Sequence, residues 1–295
     1  MKTISQILFV PPAPVVWAER QSTFARQGVT VETHQTLSSN EIGQSLSTGE
    51  RDLGIAVMDN VLFWNQKFGA DLRIIAQLEQ HTELRFVAPD ADAGMAEVAR
   101  HPIAIDADDN GFVLVLYRAL MQAGIDWRSC SFDLVGGVKH RFEAMMKGRS
   151  RSSVLIPPFD ELLQARGFHT LWTRAQMAPD YPGVVVVARQ SWLDANGDLA
   201  TAYLRALLNA TQWAAAPGNR HEAVQALLDA RYTPAVAEAL VDAPVAGLEP
   251  SLAGWSETLA LRRECALELE HEPLAAEIIA TAALRQAREA AGAAS

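Results

Sequence analysis

Short apolar runs alternate with helical segments over the first ninety residues, and this alternation limits the possible folds more than any other feature. The apolar runs at residues 4–10, 29–36 and 53–57 have the length of strands. Between them lie segments with helix signals, such as the capping-box spacing of Ser38 and Glu41. Strands that alternate with helices predict a parallel sheet with crossover helices, so the sequence indicates an α/β fold.

Breaker residues divide this pattern into two lobes. Polar stretches interrupt the regular elements near residues 89–92 and 180–183, where we place a hinge. The sequence therefore predicts lobe 1 from residues 1–89 plus 183–295, and lobe 2 from residues 90–182. Further helices are expected at residues 15–27, 38–49, 59–68, 112–122, 142–147, 160–165, 191–215, 219–230, 233–241, 251–268 and 273–291. Further strands are expected at residues 72–78, 84–88, 103–105, 132–135, 154–156 and 184–188.

Charge and hydropathy narrow the classes of partner. The 295 residues are 49% hydrophobic, which is enough for a substantial core, and their formal net charge is −10. No basic cluster offsets that charge, so nucleic acid is not an expected partner. No apolar run reaches the roughly 18 residues that a spanning helix needs, so the chain is not expected to cross a membrane.

The sequence contains no signal for a metal or a cofactor. Cys130 and Cys265 are far apart and lack zinc spacing, so we expect two free thiols. The seven histidines show no HxH or HExxH pairing, and no phosphate loop, GxGxxG or GxSxG motif occurs. Neither a metal nor a cofactor is therefore expected.

The first sixty residues carry the pattern of a known family. Its parts are Phe9-Val10-Pro11-Pro12 before a helix, F-x-x-x-G-V-x-V-E at residues 24–32, the serine cap Ser38-Ser39-Asn40, and L-x-x-G-E-x-D-L-G at residues 46–54. With these parts in family order and spacing, the chain resembles the solute-binding proteins for thiamine precursors, nitrate and alkylsulfonates, and the thiamine-pyrimidine-synthase-like proteins. The resemblance covers about residues 4–215.

The resemblance implies the type II periplasmic-binding fold, with two doubly wound lobes, a ligand cleft between them and extra C-terminal helices. In open α/β sheets, ligands bind beyond the carboxyl ends of the strands, where loops and helix N-termini present N–H groups. Matching the family's loops to this sequence gives the expected ligand-binding residues: Pro12, Ala13, Ser38, Ser39, Asn40, Met58, Asp59, Asn60, Asp108, Asp109, Asn110, Gly111, Phe112, Lys139 and Phe159.

Several of these residues have a structural alternative. Ser38 and Ser39 are suited to cap a helix as well as to bind a polar group of a ligand. Residues 106–111, with the sequence D-A-D-D-N-G, match the first half of a calcium loop. The twelfth position of that loop is Tyr117 rather than Glu, so helix capping or ligand binding is favoured over calcium.

The acidic residues also indicate the charge of the ligand. Up to three carboxylates near the start of the helix at residues 112–122 would repel an anion, so a neutral or cationic ligand is expected rather than a sulfonate or nitrate. The rings of Trp17, Phe112, Phe159 and Trp172 could stack on a flat heterocycle or pack in the core. Phe159, directly after a Pro-Pro pair, is the best placed of the four.

The sequence thus predicts a binding protein that closes its lobes around one small molecule. The alternative is a cytoplasmic enzyme on the same fold, a lyase or decarboxylase or one with thiamine-precursor-type chemistry. Such an enzyme would use Asp59, Asp109, Lys139 or His140 as acid or base. A third class, a non-catalytic sensor, would show an exposed apolar patch on the C-terminal helices.

The expected partners are a small-molecule ligand and, if the protein is exported, an ABC permease. The apolar stretch after Lys2 faintly resembles a secretory signal, but Pro11, Pro12 and Pro14 interrupt it. The sequence as written therefore predicts a cytoplasmic protein, or a periplasmic one if a signal segment precedes it.

Overall fold

The computed structural model describes residues 1–91, 94–109 and 111–292. They form two compact units, and each unit contains its own five-stranded sheet. Unit 1 comprises Met1–Gln80, Pro182–Leu252 and the residues from Pro273 onward. Unit 2 comprises His81–Tyr181 and Ala253–Glu272. Both units combine helices and strands, as the alternating pattern predicts.

The two units are built from short strands and from helices of varied length. The strands are β1 (Lys2–Leu8), β2 (Val29–Gln35), β3 (Leu53–Ala56), β4 (Leu72–Gln77), β5 (Arg85–Ala88), β6 (Ile103–Ile105), β7 (Phe132–Leu134), β8 (Ser152–Leu155), β9 (His169–Thr173) and β10 (Val185–Arg189). The helices are α1 (Ala13–Arg20), α2 (Thr23–Arg26), α3 (Ser39–Thr48), α4 (Met58–Phe68), α5 (Met95–Val98), α6 (Phe112–Gln122), α7 (Val138–Met146), α8 (Phe159–Gln164), α9 (Arg174–Met177), α10 (Gln190–Ala215), α11 (Arg220–Asp229), α12 (Pro234–Asp242), α13 (Leu252–Glu264), α14 (Ala275–Ile278) and α15 (Ala282–Gly292). None of the helices within the described ranges is long and apolar enough to cross a membrane.

The sheet of unit 1 has one antiparallel strand among parallel ones. Its strand order is β2-β1-β3-β10-β4. Strand β1 pairs in parallel with β2 and β3, whereas β10 runs antiparallel to both β3 and β4. The carboxyl ends of β1, β2, β3 and β4 therefore share one edge of the sheet, which we call edge 1.

The core of unit 1 joins the first strands to the long helix α10. Trp17 is buried, and its indole N–H donates to the backbone oxygen of Ala223 at 3.1 Å. The ring of Tyr203 on α10 stacks on Phe24 at 5.3 Å, and its buried hydroxyl donates to Gln6 on β1. Burying one large apolar side chain contributes roughly 1.5–3 kcal/mol, so these contacts fix the sheet on which edge 1 is built.

The sheet of unit 2 has the strand order β7-β6-β8-β5-β9. Strand β6 pairs in parallel with β7 and β8, whereas β5 runs antiparallel to β8 and β9. The carboxyl ends of β6, β7, β8 and β9 therefore share one edge, which we call edge 2.

Residues 253–272 group with unit 2, whereas the predicted lobes place all of residues 183–295 in lobe 1. Ion pairs that the buried Arg118 of α6 makes with α13 account for this difference. Arg118 Nη1 lies 2.6 Å from Glu257 Oε1, and Arg118 Nε lies 2.6 Å from Glu264 Oε2. Helical periodicity in a sequence does not show which sheet a helix will cover. The ligand cleft expected between the lobes stays a prediction.

Several local features differ from the sequence-based expectation. Helices α5 and α9 are additions, and α7 begins at Val138, before the helix expected at residues 142–147. The helix expected at residues 15–27 is divided into α1 and α2, because Ser22 adopts a left-handed φ of 54°. The helix expected at residues 273–291 is divided into α14 and α15, with Ile279 between them in a β-bridge to Ile74. Strand β9 is an addition, since its exposed and half-buried residues form no apolar run.

Candidate functional site

Edge 1 carries the residues that the sequence predicts for the ligand loops of unit 1. Helices α1, α3 and α4 follow β1, β2 and β3, so their N-termini lie at this edge. The predicted residues on these loops and first turns are Pro12, Ala13, Ser38, Ser39, Asn40, Met58, Asp59 and Asn60. Strand pairing thus places all eight residues along edge 1 of the sheet.

The loop before α1 is apolar and fixed by a backbone contact. Pro12 is the N-cap residue of α1, and both Pro12 and Ala13 are buried. The hydroxyl of Tyr232 donates to the backbone oxygen of Pro11 at 2.8 Å. Burial raises the pKa of Tyr232 well above its usual value, so this hydroxyl stays protonated and remains a donor. The loop therefore offers shape and apolar surface rather than charge.

Ser38 caps α3, which is the structural alternative that the sequence left open. Its Oγ accepts from the backbone N–H of Glu41 at 3.3 Å, and its own N–H donates to Thr36 Oγ1 at 3.1 Å. The Thr36 hydroxyl donates to the Glu41 carboxylate, and this bond lowers the pKa of Glu41, with a further contribution from His34. The polar groups of Thr36, Ser38 and Glu41 are therefore already hydrogen-bonded to one another.

Ser39 and Asn40 form the first turn of α3. Ser39 is half-buried, whereas Asn40 is exposed and its Oδ1 accepts from Lys67 Nζ at 3.2 Å. A ligand that made the predicted contact with Asn40 Oδ1 would therefore have to replace its hydrogen bond from Lys67.

The start of α4 is the most deeply buried part of edge 1. Met58, Asp59 and Asn60 are all buried, and the N-cap residue Val57 supplies no side-chain cap. Asn60 Oδ1 is buried without a hydrogen-bond donor among the described residues. An unmet acceptor in such a place costs about 1–3 kcal/mol, so a ligand that donates to it would gain that much in return.

Edge 2 carries the acidic loop between β6 and α6. Asp108 is exposed and Asp109 is half-buried, while Asn110 lies outside the described residues. Gly111 is the N-cap residue of α6 with a φ of 58°, a conformation that favours glycine, and Phe112 begins the helix. Within the part of the chain that the structure describes, no group of three or more His, Cys, Asp and Glu residues could hold a metal ion.

Arg141 is the residue of edge 2 that sequence reasoning missed. It lies on α7, its side chain is only 3% exposed, and its Nη1 is 3.0 Å from Asp106 Oδ1. This is an ion pair without the alignment of a hydrogen bond, and Arg141 Nε also lacks an acceptor among the described residues. Burial lowers the pKa of Arg141, while Asp106 acts in the opposite direction. The guanidinium also lies 5.6 Å from the ring centroid of Phe112.

The other predicted residues of α7 are less enclosed. Lys139 is exposed, and His140 is half-buried against Gly136, where an added β-carbon would lie 2.9 Å from His140 Nδ1. Gly136 has a φ of 97°, a conformation that favours glycine. The Gly-Gly pair before α7 is therefore the sequence signal that could have indicated a tight turn packed closely against this helix.

Phe159 stands at the start of α8 and is half-buried. Its ring lies 5.5 Å from that of Phe142, and it packs against a small core cluster that includes Met145 and Leu163. The adjacent Asp160 is fully buried and pairs with Arg85 at the start of β5. Part of the Phe159 ring is thus committed to packing.

The remaining aromatic candidates divide between core and surface. Trp17 is buried in the core of unit 1, as described above, and offers no stacking face. Phe112 is half-buried, with its ring 6.3 Å from that of Tyr181 in an edge-on arrangement. Trp172 lies on β9 and is half-buried.

The model of the NMT1-like family matches residues 3–228. The chain belongs to the NMT1-like family. Comparison with the curated proteins finds no match. The matched range of this NMT1-like chain includes edge 1 and the β6–α6 loop, and it ends before α13.

Solved structures share the fold of this NMT1-like chain over almost its whole length. The alkanesulfonate-binding protein SsuA from Xanthomonas axonopodis pv. citri, bound to MOPS, is 18% identical with a TM-score of 0.78, covering 96% of this chain and 99% of that one. The ligand-binding component of an ABC-type import system from Staphylococcus aureus, with zinc bound, is 16% identical with a TM-score of 0.77, covering 97% and 99%. The desulfurization enzyme DSZB is 11% identical with a TM-score of 0.72, covering 99% and 100%.

The predicted resemblance and the predicted fold class are confirmed by these comparisons. The NMT1-like chain has the α/β fold of periplasmic binding proteins, with two sheets in two units. The ligand-binding roles of the individual residues stay predictions.

Proposed function

We propose that this chain binds one small organic molecule and serves as the ligand-binding component of an ABC-type importer. The observation that supports this most is that the predicted ligand loops of each unit begin helices at the carboxyl ends of parallel strands. Open α/β sheets bind their ligands at such edges. The shared fold with an alkanesulfonate-binding protein and with an importer component agrees with this proposal.

We further propose that the ligand is neutral or cationic, with a flat heterocycle as one form. Asp106 is compensated by Arg141, so the charge argument now rests on Asp108. Asp108 is exposed at edge 2, and the first turn of α6 contains no basic residue to offset it. An anion at this helix start would meet the negative charge of the exposed Asp108. The half-buried ring of Phe112 offers an apolar surface beside it.

Thermal unfolding with a panel of small molecules tests the proposal. The panel contains 4-aminopyrimidine, benzylamine, benzoate and ethanesulfonate, each over a range of concentrations. A ligand present at about 100 times its Kd adds roughly 2.7 kcal/mol of stability, which raises Tm measurably. We expect 4-aminopyrimidine or benzylamine to raise Tm and ethanesulfonate to leave it unchanged. A rise with ethanesulfonate alone would contradict the charge argument, and no rise with any panel compound would count against the binding function.

Two matched variants locate the charge effect. Asp108→Asn removes a carboxylate from edge 2, whereas Asp198→Asn removes an exposed carboxylate from α10 in unit 1. We expect Asp108→Asn to weaken binding of benzylamine several-fold, because one nearby opposite charge is lost. Equal effects of the two variants would show that only the net charge matters.

The enzyme alternative has one comparison in its favour, the fold shared with a desulfurization enzyme. A shared fold does not carry an activity. Of the candidate acid–base residues, Asp59 lies in unit 1, whereas Asp109, Lys139 and His140 lie in unit 2. Prolonged incubation of the protein with a bound panel compound, followed by mass spectrometry, separates the two functions. A binder returns the compound unchanged, whereas an enzyme converts it.

The permease partner and a location outside the cytoplasm are finer parts of the same proposal. They are supported by the importer component among the structures of the same fold. Cell fractionation of the natural host tests the location, and co-purification with a membrane permease tests the partner. Recovery of the protein only from the cytoplasm would be compatible with the binding function but would contradict a role in an importer.

A further inference from the structure

The loop between β6 and α6 is held by side chains from outside the loop. The hydroxyl of Tyr117 donates to the backbone oxygen of Asp108 at 3.1 Å. Arg262 Nη2 donates to the backbone oxygen of Asp109 at 3.3 Å. These bonds fix the backbone that leads into the N-cap residue Gly111 and thereby the direction of the first N–H groups of α6.

Arg262 comes from the last turn of α13, far along the chain from the loop it holds. It is buried, and its Nη1 donates to the backbone oxygen of Leu267 at 3.2 Å. Two bonds from separate nitrogens of one planar guanidinium fix its orientation, which a flexible ammonium group could not do. Arg262 therefore joins the end of α13 to the acidic loop.

The segment that carries Arg262 lies outside the range matched by the family model, which ends at residue 228. It is nevertheless built into unit 2 by buried contacts. Arg118 on α6 is bonded to Glu257 and Glu264, and the buried thiol of Cys265 lies 3.6 Å from the backbone oxygen of Leu114. The segment at residues 253–272 thus packs against α6 and is held there by these contacts.

We propose that Arg262 is a positioning residue for ligand recognition, acting through the β6–α6 loop without touching the ligand. This rests on the proposed function, since the loop matters only if it contacts the ligand. The C-terminal segment at residues 253–272 is then part of what sets ligand affinity in this chain.

The chain supplies a matched control for this proposal. Arg118 and Arg262 are both buried arginines that join the α6 region to α13, but of the two only Arg262 is bonded to a described residue of the β6–α6 loop. Arg118→Gln therefore breaks the ion pairs between α6 and α13 and leaves the loop contact in place. Arg262→Gln removes the loop contact as well.

Hydrogen–deuterium exchange of the full chain tests the positioning without any ligand. We expect peptides covering residues 106–113 to exchange about tenfold faster in Arg262→Gln than in Arg118→Gln, because the loop loses one of its hydrogen bonds. Both variants are compared at equal distance from their own Tm. Equal exchange of this peptide in the two variants would overturn the proposal.

Titration calorimetry with 4-aminopyrimidine and benzylamine tests the link to recognition. We expect Arg262→Gln to weaken binding about tenfold and Arg118→Gln to change it less than about twofold. Arg262→Lys keeps the charge and one donor, so it should restore part of the affinity and serves as the test if Arg262→Gln does not fold. If the loop of Arg262→Gln exchanges faster but the variant binds the compounds with unchanged affinity, the loop does not recognise the ligand, and the proposal is wrong.

The two experiments fail in different ways. If no compound of the panel binds the unaltered protein, the proposed function fails, and the recognition role of Arg262 fails with it whatever the exchange shows. If the compounds bind but the loop exchanges equally in both variants, the function stands and only the positioning role is lost.

Discussion

Edges 1 and 2 occupy equivalent places in their sheets but are held by different forces. At edge 1 the helix starts are fixed by close packing and by uncharged side chains that bond to the backbone, such as Tyr232 on the loop before α1 and Ser38 at the start of α3. At edge 2 the loops are fixed by charged side chains, with Arg141 against Asp106 and Arg85 against Asp160. The comparison teaches that an equivalent position in a fold does not imply an equivalent response to mutation or pH.

Arg141→Met should have the largest effect, because it removes one member of the buried pair at edge 2. Asp106 would then lose its counterion, and we expect a loss of about 3 kcal/mol in the free energy of unfolding. Urea denaturation measures the change. Lys139→Met is the matched control, since it removes an exposed charge from the same helix and should change stability by less than about 0.5 kcal/mol. Similar small effects of both would show that the pair does not hold edge 2.

Gly43→Ala tests the packing that holds edge 1. Helices α3 and α4 meet where a β-carbon on Gly43 would lie 2.5 Å from the ring of Trp64, so the buried ring must shift. We expect a loss of about 1–3 kcal/mol, measured by urea denaturation. In Gly197→Ala, the added methyl group meets open space, and stability should stay equal or rise. A neutral Gly43→Ala would mean that packing is not what distinguishes edge 1.

Asn60→Leu separates stability from binding at edge 1. Because Asn60 Oδ1 lacks a donor among the described residues, replacing the amide with an apolar group of similar size should leave stability unchanged or raise it by up to about 1–3 kcal/mol. If edge 1 contacts the ligand, the Tm shift produced by 4-aminopyrimidine should shrink in this variant. A large loss of stability would show that the side chain already has an essential role in folding.

The smallest effect concerns Glu41, an exposed carboxylate at edge 1. Its pKa is lowered from 4.5, chiefly by the hydrogen bond from Thr36, so its contribution to stability is present above that pH and is lost as the pH falls further. Urea midpoints between pH 7 and pH 3 should therefore converge for the unaltered chain and Glu41→Gln at the acid end. A difference that grows toward low pH would have the opposite sign and contradict this assignment.

The positions of the edge 1 residues follow from the sequence because they depend on local signals. A strand followed by a capped helix places its connecting loop at a predictable edge, as Ser38 shows by capping α3. The fold class follows from the same alternation. What the pattern cannot supply is a break such as Ser22, where a non-glycine residue takes a left-handed conformation in an otherwise continuous helical pattern.

The ion pairs of unit 2 could not be predicted because they depend on contacts between residues that are distant in the sequence. Nothing near Arg141 in the sequence marks it as buried, since its partner Asp106 is on another loop. The same holds for Arg118 and Glu257, whose pairing assigns α13 to unit 2. A sequence pattern shows that a helix has a buried face, but not which sheet it covers.

The discontinuous make-up of unit 2 has a consequence for how the protein is made. Its last segment ends at Glu272, close to the end of the 295-residue chain. During synthesis, Arg118 is therefore exposed long before Glu257 and Glu264 leave the ribosome. A nascent chain in this state has an incomplete domain, and the apolar surface that such a domain exposes makes it prone to aggregation. For this molecule, residues 253–272 must be translated before unit 2 can reach its native state.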